Sequence, residues 1–203
     1  MRTKVNPFVS ISDLMAGVTA VVMMMLVVMV VRISVMAQFA EDAKKLGVDT
    51  AIREIKESLN PNLKSVVVQD SVITLSDQAF ERGSACLSEN VAVALKEQVA
   101  PILAEKMKAF PNISVQIEGH TDAANVVGVV TNLSKKCALF DDNYSLSAGR
   151  AREARKAVLS SIQNDPFVGT RISVVGYGPD RLKNRINPNA AENRRVEIRL
   201  VAR

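Results

Sequence analysis

The stretch Ser12–Arg32, SDLMAGVTAVVMMMLVVMVVR, decides how the rest of the chain is read. From Leu14 to Val31 it runs 18 residues without a charge, and at about 1.5 Å per helical residue it reaches across most of a hydrocarbon layer about 30 Å thick. A single membrane span is therefore expected over residues 10–35, preceded by a short tail, 1–9. Asp13 stands at the entrance of the apolar run, with Ser10 and Ser12 as its polar company. A carboxylate facing lipid at depth costs about 2.5 kcal/mol or more, so an acid here is expected to face protein or water and to mark an ion path. Two plainer readings stay open. Asp13 serves as the N-cap of a helix that begins at Leu14 in the headgroup region, or the run is a cleaved secretory signal with Val35-Met36-Ala37 at its end. The length of the run, its opening acid and the position of Arg32 weigh against cleavage.

Composition narrows the rest. At 203 residues the chain has room for one span and one domain of ordinary size. A net charge of +5 with only eight aromatic residues fits an envelope protein near anionic lipid or wall polymer better than a direct nucleic-acid binder. The single histidine, His120, cannot build a metal site unaided, so neither a metal nor a cofactor is expected. Arg2 and Lys4 precede the span with no acid among them, which orients the N-terminus to the cytoplasm and the C-terminal part outside. Cys86 and Cys137 would then lie where a disulfide persists. Two unpaired thiols remain the alternative, because their separation in space is not readable from sequence.

Beyond the span, residues 36–63 read as a helical linker or dimerising stalk. Phe39, Ala43 and Leu46, then Ile52, Ile55 and Leu59, recur at helical spacing; Gly47 with Asp49-Thr50 marks a possible restart and Asn60-Pro61-Asn62 the end. From Lys64 the pattern changes. Strands are expected over 65–69, 71–75, 113–118, 171–177 and 195–201. Helices are expected over 88–109, capped by Ser88 and bent or divided by Pro101, and from Ser145 or Ser147 to Gln163. Strands alternating with two long helices predict one α/β (α+β) domain over 64–203, a mixed sheet with helices on one face.

The densest chemistry is Gly119-His120-Thr121-Asp122 at a strand end, Asn143-Tyr144-Ser145-Leu146-Ser147 leading into a helix with Arg150, and Glu192-Asn193-Arg194-Arg195 entering the last strand. Asp122 and Arg150 suit a small ligand bearing both an ammonium and a carboxylate; equally, they pair with each other in a structural bridge. No nucleophilic catalytic set is apparent, and an enzyme is not expected.

At these residues the chain resembles the OmpA-like peptidoglycan-binding domain. The likeness runs through Phe80 with Gly83-Ser84-Ala85, the 119–122 motif, Asn143, Leu146-Ser147, Arg150-Ala151, Gly176-Tyr177-Gly178 and Asn193-Arg194-Arg195-Val196-Glu197-Ile198. It implies non-covalent binding of the diaminopimelate-containing wall peptide, with Asp122 and Arg150 as the contacts and Thr121, Asn143, Leu146 and Arg194 around the pocket. The chain departs from the family in the 20 residues between Asp122 and Asn143, where about half that number is usual and where Cys137 offers a tether to Cys86.

The membrane Asp13-Leu14-Met15 joined to such a domain resembles the B subunit of ion-driven rotary motors, flagellar MotB-type or Zorya anti-phage ZorB-type. Asn6-Pro7-Phe8 before Ser12-Asp13 and the compact length are closer to the defence branch. The resemblance implies a homodimer enclosed by a multi-span A-type subunit, with H⁺ or Na⁺ carried by Asp13 as cargo.

Overall fold

The computed structural model of the chain describes residues 7–81, 83–124, 137, 140–162 and 166–202. Most of the 20 residues between Asp122 and Asn143 thus lie outside the described residues. The chain clusters into two units, Met1–Ala43 and Lys44–Arg203.

The first unit lies on helix α1, Pro7–Ser58, which also supplies the first residues of the second. After Pro7 no further proline occurs until Pro61, so nothing in the sequence breaks α1 between them. Among the described residues α1 is the one helix long and apolar enough to cross a membrane, and no part of its most apolar stretch is buried against the protein. The polar side chains in that stretch bond back to their own helix: Thr19 Oγ1 donates to the carbonyls of Met15 and Ala16, and Ser34 Oγ to that of Val30. Asp13 lies in the second turn of α1, so it is not the N-cap of a helix starting at Leu14.

The second unit begins at Lys44, earlier than the domain start expected at Lys64. The segment read as a linker belongs in part to the core: Val48, Ala51 and Ile55 are buried among strand and helix residues. Gly47 does not end a helix. A Cβ there would meet the Phe110 ring at 3.0 Å, so glycine is a notch that lets α1 pack closely. Thr50 Oγ1 donates to the Leu46 carbonyl within the same unbroken helix.

Five strands follow: β1 (Val66–Gln69), β2 (Val72–Ser76), β3 (Ile113–His120), β4 (Ile172–Gly176) and β5 (Arg195–Ala202), ordered β1-β2-β5-β3-β4. Only the β3/β4 pair is parallel. Asp70 and Ser71, both at positive φ, form the two-residue turn of the β1/β2 hairpin. Between β2 and β3 runs a helix in three parts: α2 (Glu89–Ala94), a π turn (Leu95–Val99) and α3 (Ala100–Ala109). Pro101 follows the π turn. Widening the turn just before a proline accommodates a ring that would otherwise strike the carbonyl four residues back, and the helix continues rather than dividing. Helix α4 (Asn143–Ser160) crosses from β3 to β4, with α5 (Pro166–Thr170) before β4. It starts ahead of both expected positions, Ser145 and Ser147, because Asp142 is the N-cap, accepting the Ser145 N–H at 2.6 Å.

Alternation along the strands divides the sheet into two faces. Ile73, Leu75, Val115, Ile117, Val196, Ile198 and Leu200 join the helices in one core. Glu118, His120, Arg195, Glu197 and Arg199 occupy the alternate positions of β3 and β5. This is the mixed α/β architecture expected from the sequence.

Candidate functional site

The register of three neighbouring strands builds the site. Arg195, the first residue of β5, pairs with Ser76 at the end of β2 and with His120 at the end of β3. The residues just beyond those ends, Asp77, Arg194 and Asp122, therefore meet at one end of the three central strands. Helix α4 brings the fourth member. It presses so closely on β3 and β4 that a Cβ on Gly119 would lie 1.9 Å from the Ser147 carbonyl oxygen, and one on Gly176 would lie 2.7 Å from Ala148 Cβ. Arg150 follows Ser147 by about one helical turn and is 3% exposed.

The four charges form an alternating chain. Arg194 Nη1 donates to Asp122 Oδ2 at 2.7 Å, Arg194 Nε lies 3.0 Å from Asp77 Oδ2, and Arg150 Nη2 lies 3.2 Å from Asp77 Oδ1. Asp122 and Arg150 thus do not bridge directly; Asp77 and Arg194 stand between them. Arg150 Nε donates to the Ser84 carbonyl at 3.0 Å, and its guanidinium lies over the Phe80 ring at 5.1 Å. Its Nη1 is buried without a partner. Burial lowers the Arg150 pKa from its ordinary value, with Asp77 opposing the fall. The hydrogen bond to Asp122 raises that of Arg194.

The remaining residues named for the pocket are placed as follows. Thr121 donates its N–H to the Gly178 carbonyl, and its hydroxyl is buried without a partner. Asn143 donates from Nδ2 to the Ala124 carbonyl at 2.8 Å, which holds the chain leaving β3. Leu146 is buried in the first turn of α4. Cys86 and Cys137 are joined in a disulfide with Cα atoms 5.1 Å apart. Ala85 N–H donates to the Cys137 carbonyl, so Cys137 is pinned to the loop that carries Ser84.

Asp77 is the member that sequence reasoning missed. The signal was an acid directly after the strand that pairs with the start of β5, visible only once strand order is known.

A second cluster lies on the other sheet face. Glu118, His120 and Glu197 bring one potential ligand atom each within 4.8 Å. Both carboxylates are already held by guanidinium groups: Arg195 Nε at 2.5 Å and Arg199 on Glu197, Arg199 Nε at 3.2 Å on Glu118. Glu118 and Glu197 stand directly opposite across β3 and β5, a like-charge pair that these arginines neutralise. His120 stacks on Tyr177 at 5.5 Å. Burial, then the Arg195 charge, holds its pKa down at about 4, so the ring is neutral.

No protein-family model matches the chain, and no curated protein does. Among solved structures it is similar to the periplasmic domain of Helicobacter pylori MotB, at 21% identity and a TM-score of 0.48, over 70% of this chain and 82% of that one. It is also similar to the cell wall anchor of the T6SS from Pseudomonas aeruginosa, at 21% identity and a TM-score of 0.48, over 74% and 96% of the two chains. A MotB-like protein from Desulfovibrio vulgaris, at 21% identity, aligns over 80% of this chain and 96% of that one with a TM-score of 0.52, and that likeness establishes a shared fold.

Proposed function

We propose that this chain is a peptidoglycan-anchored B-type subunit of an inner-membrane motor, fixed to the wall by its compact unit and handling an ion at Asp13. The wall reading is carried by one observation: Arg150 is buried with its Nη1 hydrogens unspent, beside two carboxylates and a second arginine. A buried donor left unpaired costs about 1–3 kcal/mol, and a ligand carboxylate would satisfy it. The end of a diaminopimelate side chain bears an ammonium and a carboxylate on one carbon. The carboxylate goes to Arg150 and the ammonium to Asp122 and Asp77, where Arg194 now supplies a positive charge. Arg194 keeps 30% of its side chain exposed and can withdraw outward. In a sedimentation assay the full chain in detergent is expected to pellet with purified wall sacculi, and the Asp122→Ala, Arg150→Ala double variant to remain in the supernatant. Undiminished pelleting of that variant rules the pocket out.

The motor reading rests on Asp13, a carboxylate inside an exposed, apolar helix rather than at its cap. Gly17, one turn on, leaves the surface beside it open. Neutral and ionised carboxyl groups prefer different surroundings, and alternating access turns that preference into movement of a partner subunit. Each proton falling through 100 mV supplies about 2.3 kcal/mol. The carrier works within a homodimer enclosed by a multi-span A-type subunit, the N-terminus cytoplasmic and the compact unit periplasmic. The sequence before Asp13 favours the Zorya-type defence motor over the flagellar one. With the A subunit present, Asp13→Asn is expected to abolish ion flux and activity and Asp13→Glu to retain part. Full activity of both leaves a passive wall anchor.

A further inference from the structure

The +5 charge is not spread along the chain. Residues 1–170 carry 18 basic and 18 acidic side chains, whereas residues 171–203 carry eight basic against three acidic. Most of those cations have work inside the fold: Arg171 bonds to the carbonyls of Met107, Pro111 and Ile113, Arg194, Arg195 and Arg199 hold carboxylates, and Arg181 stacks on Tyr177 at 3.6 Å. Lys183 and Arg185 do not. Both are exposed on the segment between β4 and β5 and have no ion-pair partner among the described residues.

That segment is rigidly built, and it is built together with the pocket. Asn193, buried, donates from Nδ2 to the carbonyls of Asn184, Asn187 and Pro188 and accepts the Asn184 N–H. Asn184 in turn accepts the Asn187 N–H. The Pro188 carbonyl accepts the N–H of Ala123, the residue after Asp122, and Asn193 directly precedes Arg194. The loop therefore holds two free cations, with Ile186 99% exposed beside them, on a support shared with Asp122 and Arg194. Rim charges of this kind act on a ligand already seated nearby, over a Debye length of about 10 Å in dilute salt.

Resting on the wall-binding reading, we infer that Lys183 and Arg185 form a second, anion-reading subsite that engages backbone carboxylates of the wall peptide flanking the diamino acid held at Asp122 and Arg150. The pocket selects the diamino acid, while the loop selects the anionic form of the peptide around it.

The test titrates the full chain in detergent with two probes: a diaminopimelate-containing stem peptide with free carboxylates, and the same peptide amidated at the carboxylates flanking the diamino acid. Wild type is expected to bind the free-acid peptide about tenfold more tightly in low salt, with the difference shrinking in high salt. Lys183→Gln with Arg185→Gln, which introduces no new repulsion, is expected to remove that preference and leave the affinity for the amidated peptide unchanged; Lys183→Glu with Arg185→Glu should turn the preference toward the amidated peptide. Equal binding of both peptides by wild type, or a preference that survives the charge reversal, overturns the inference. Failure of Arg150→Ala to weaken either peptide overturns the wall-binding reading itself, and the two failures are thereby told apart.

Discussion

Asp77 holds two arginines at once, each through a different oxygen, and so sets the geometry of the candidate pocket. Replacing it with asparagine is expected to lower stability by about 1–2 kcal/mol, discounted because a third of its side chain meets solvent, and to weaken peptide binding more than stability. Denaturation and titration of the same sample check both. His120 makes a second prediction. Its pKa falls from 6.5 to about 4 on folding, so as pH drops the unfolded chain takes the proton first. Its contribution is complete above about pH 6.5 and is lost on the way down to about 4. Urea midpoints at pH 7.5 and 5 should show a loss of about 2 kcal/mol, absent in His120→Asn; a protein equally stable at both values contradicts this. Asp122, just beyond the end of β3, and Arg150, two turns into α4, were singled out in the sequence by their charge and by the motifs around them. Asp77 was not, since its role depends on pairing between β2 and β5 across more than a hundred residues.

At the scale of elements, the close seat of α4 on the sheet predicts that Gly119→Ala is severe. A methyl group there meets backbone rather than a flexible side chain, so a loss of about 1–3 kcal/mol or more is expected, together with a displaced Arg150. Thermal denaturation and peptide titration read the two effects separately. The end of α1 makes a complementary prediction. Ile55 is fully buried, so Ile55→Ala should cost about 2–5 kcal/mol, whereas a mere spacer would tolerate it. The helical period of Ile52, Ile55 and Leu59 was readable, but not what they pack against. Gly47 looked like a stop because a glycine notch and a glycine terminus are the same letter. Pro101 was a visible perturbation, and its accommodation by a π turn depends on neighbours that hold the helix in place.

For the molecule as a whole, the disulfide joins residues 51 apart in sequence and fastens Cys137 beside the loop that carries Ser84. Replacing Cys86 and Cys137 with serine is expected to lower stability by about 2–4 kcal/mol and to loosen the segment that carries Ser84, the acceptor for Arg150. A parallel fall in stability and peptide affinity would show it; unchanged affinity in the folded variant would confine the bridge to stability. The broad division into an apolar helix and a mixed α/β unit followed from hydropathy and periodicity, while the boundary between them depended on burial that only three dimensions reveal. Wall binding as proposed stands on the buried, unspent Nη1 of Arg150 receiving a ligand carboxylate. The most direct test is the dissociation constant of a diaminopimelate-containing peptide for the full chain carrying Arg150→Lys, which keeps the charge and removes the fork. Affinity weaker by at least about tenfold in a folded protein is expected. Affinity equal to that of the wild type would contradict it.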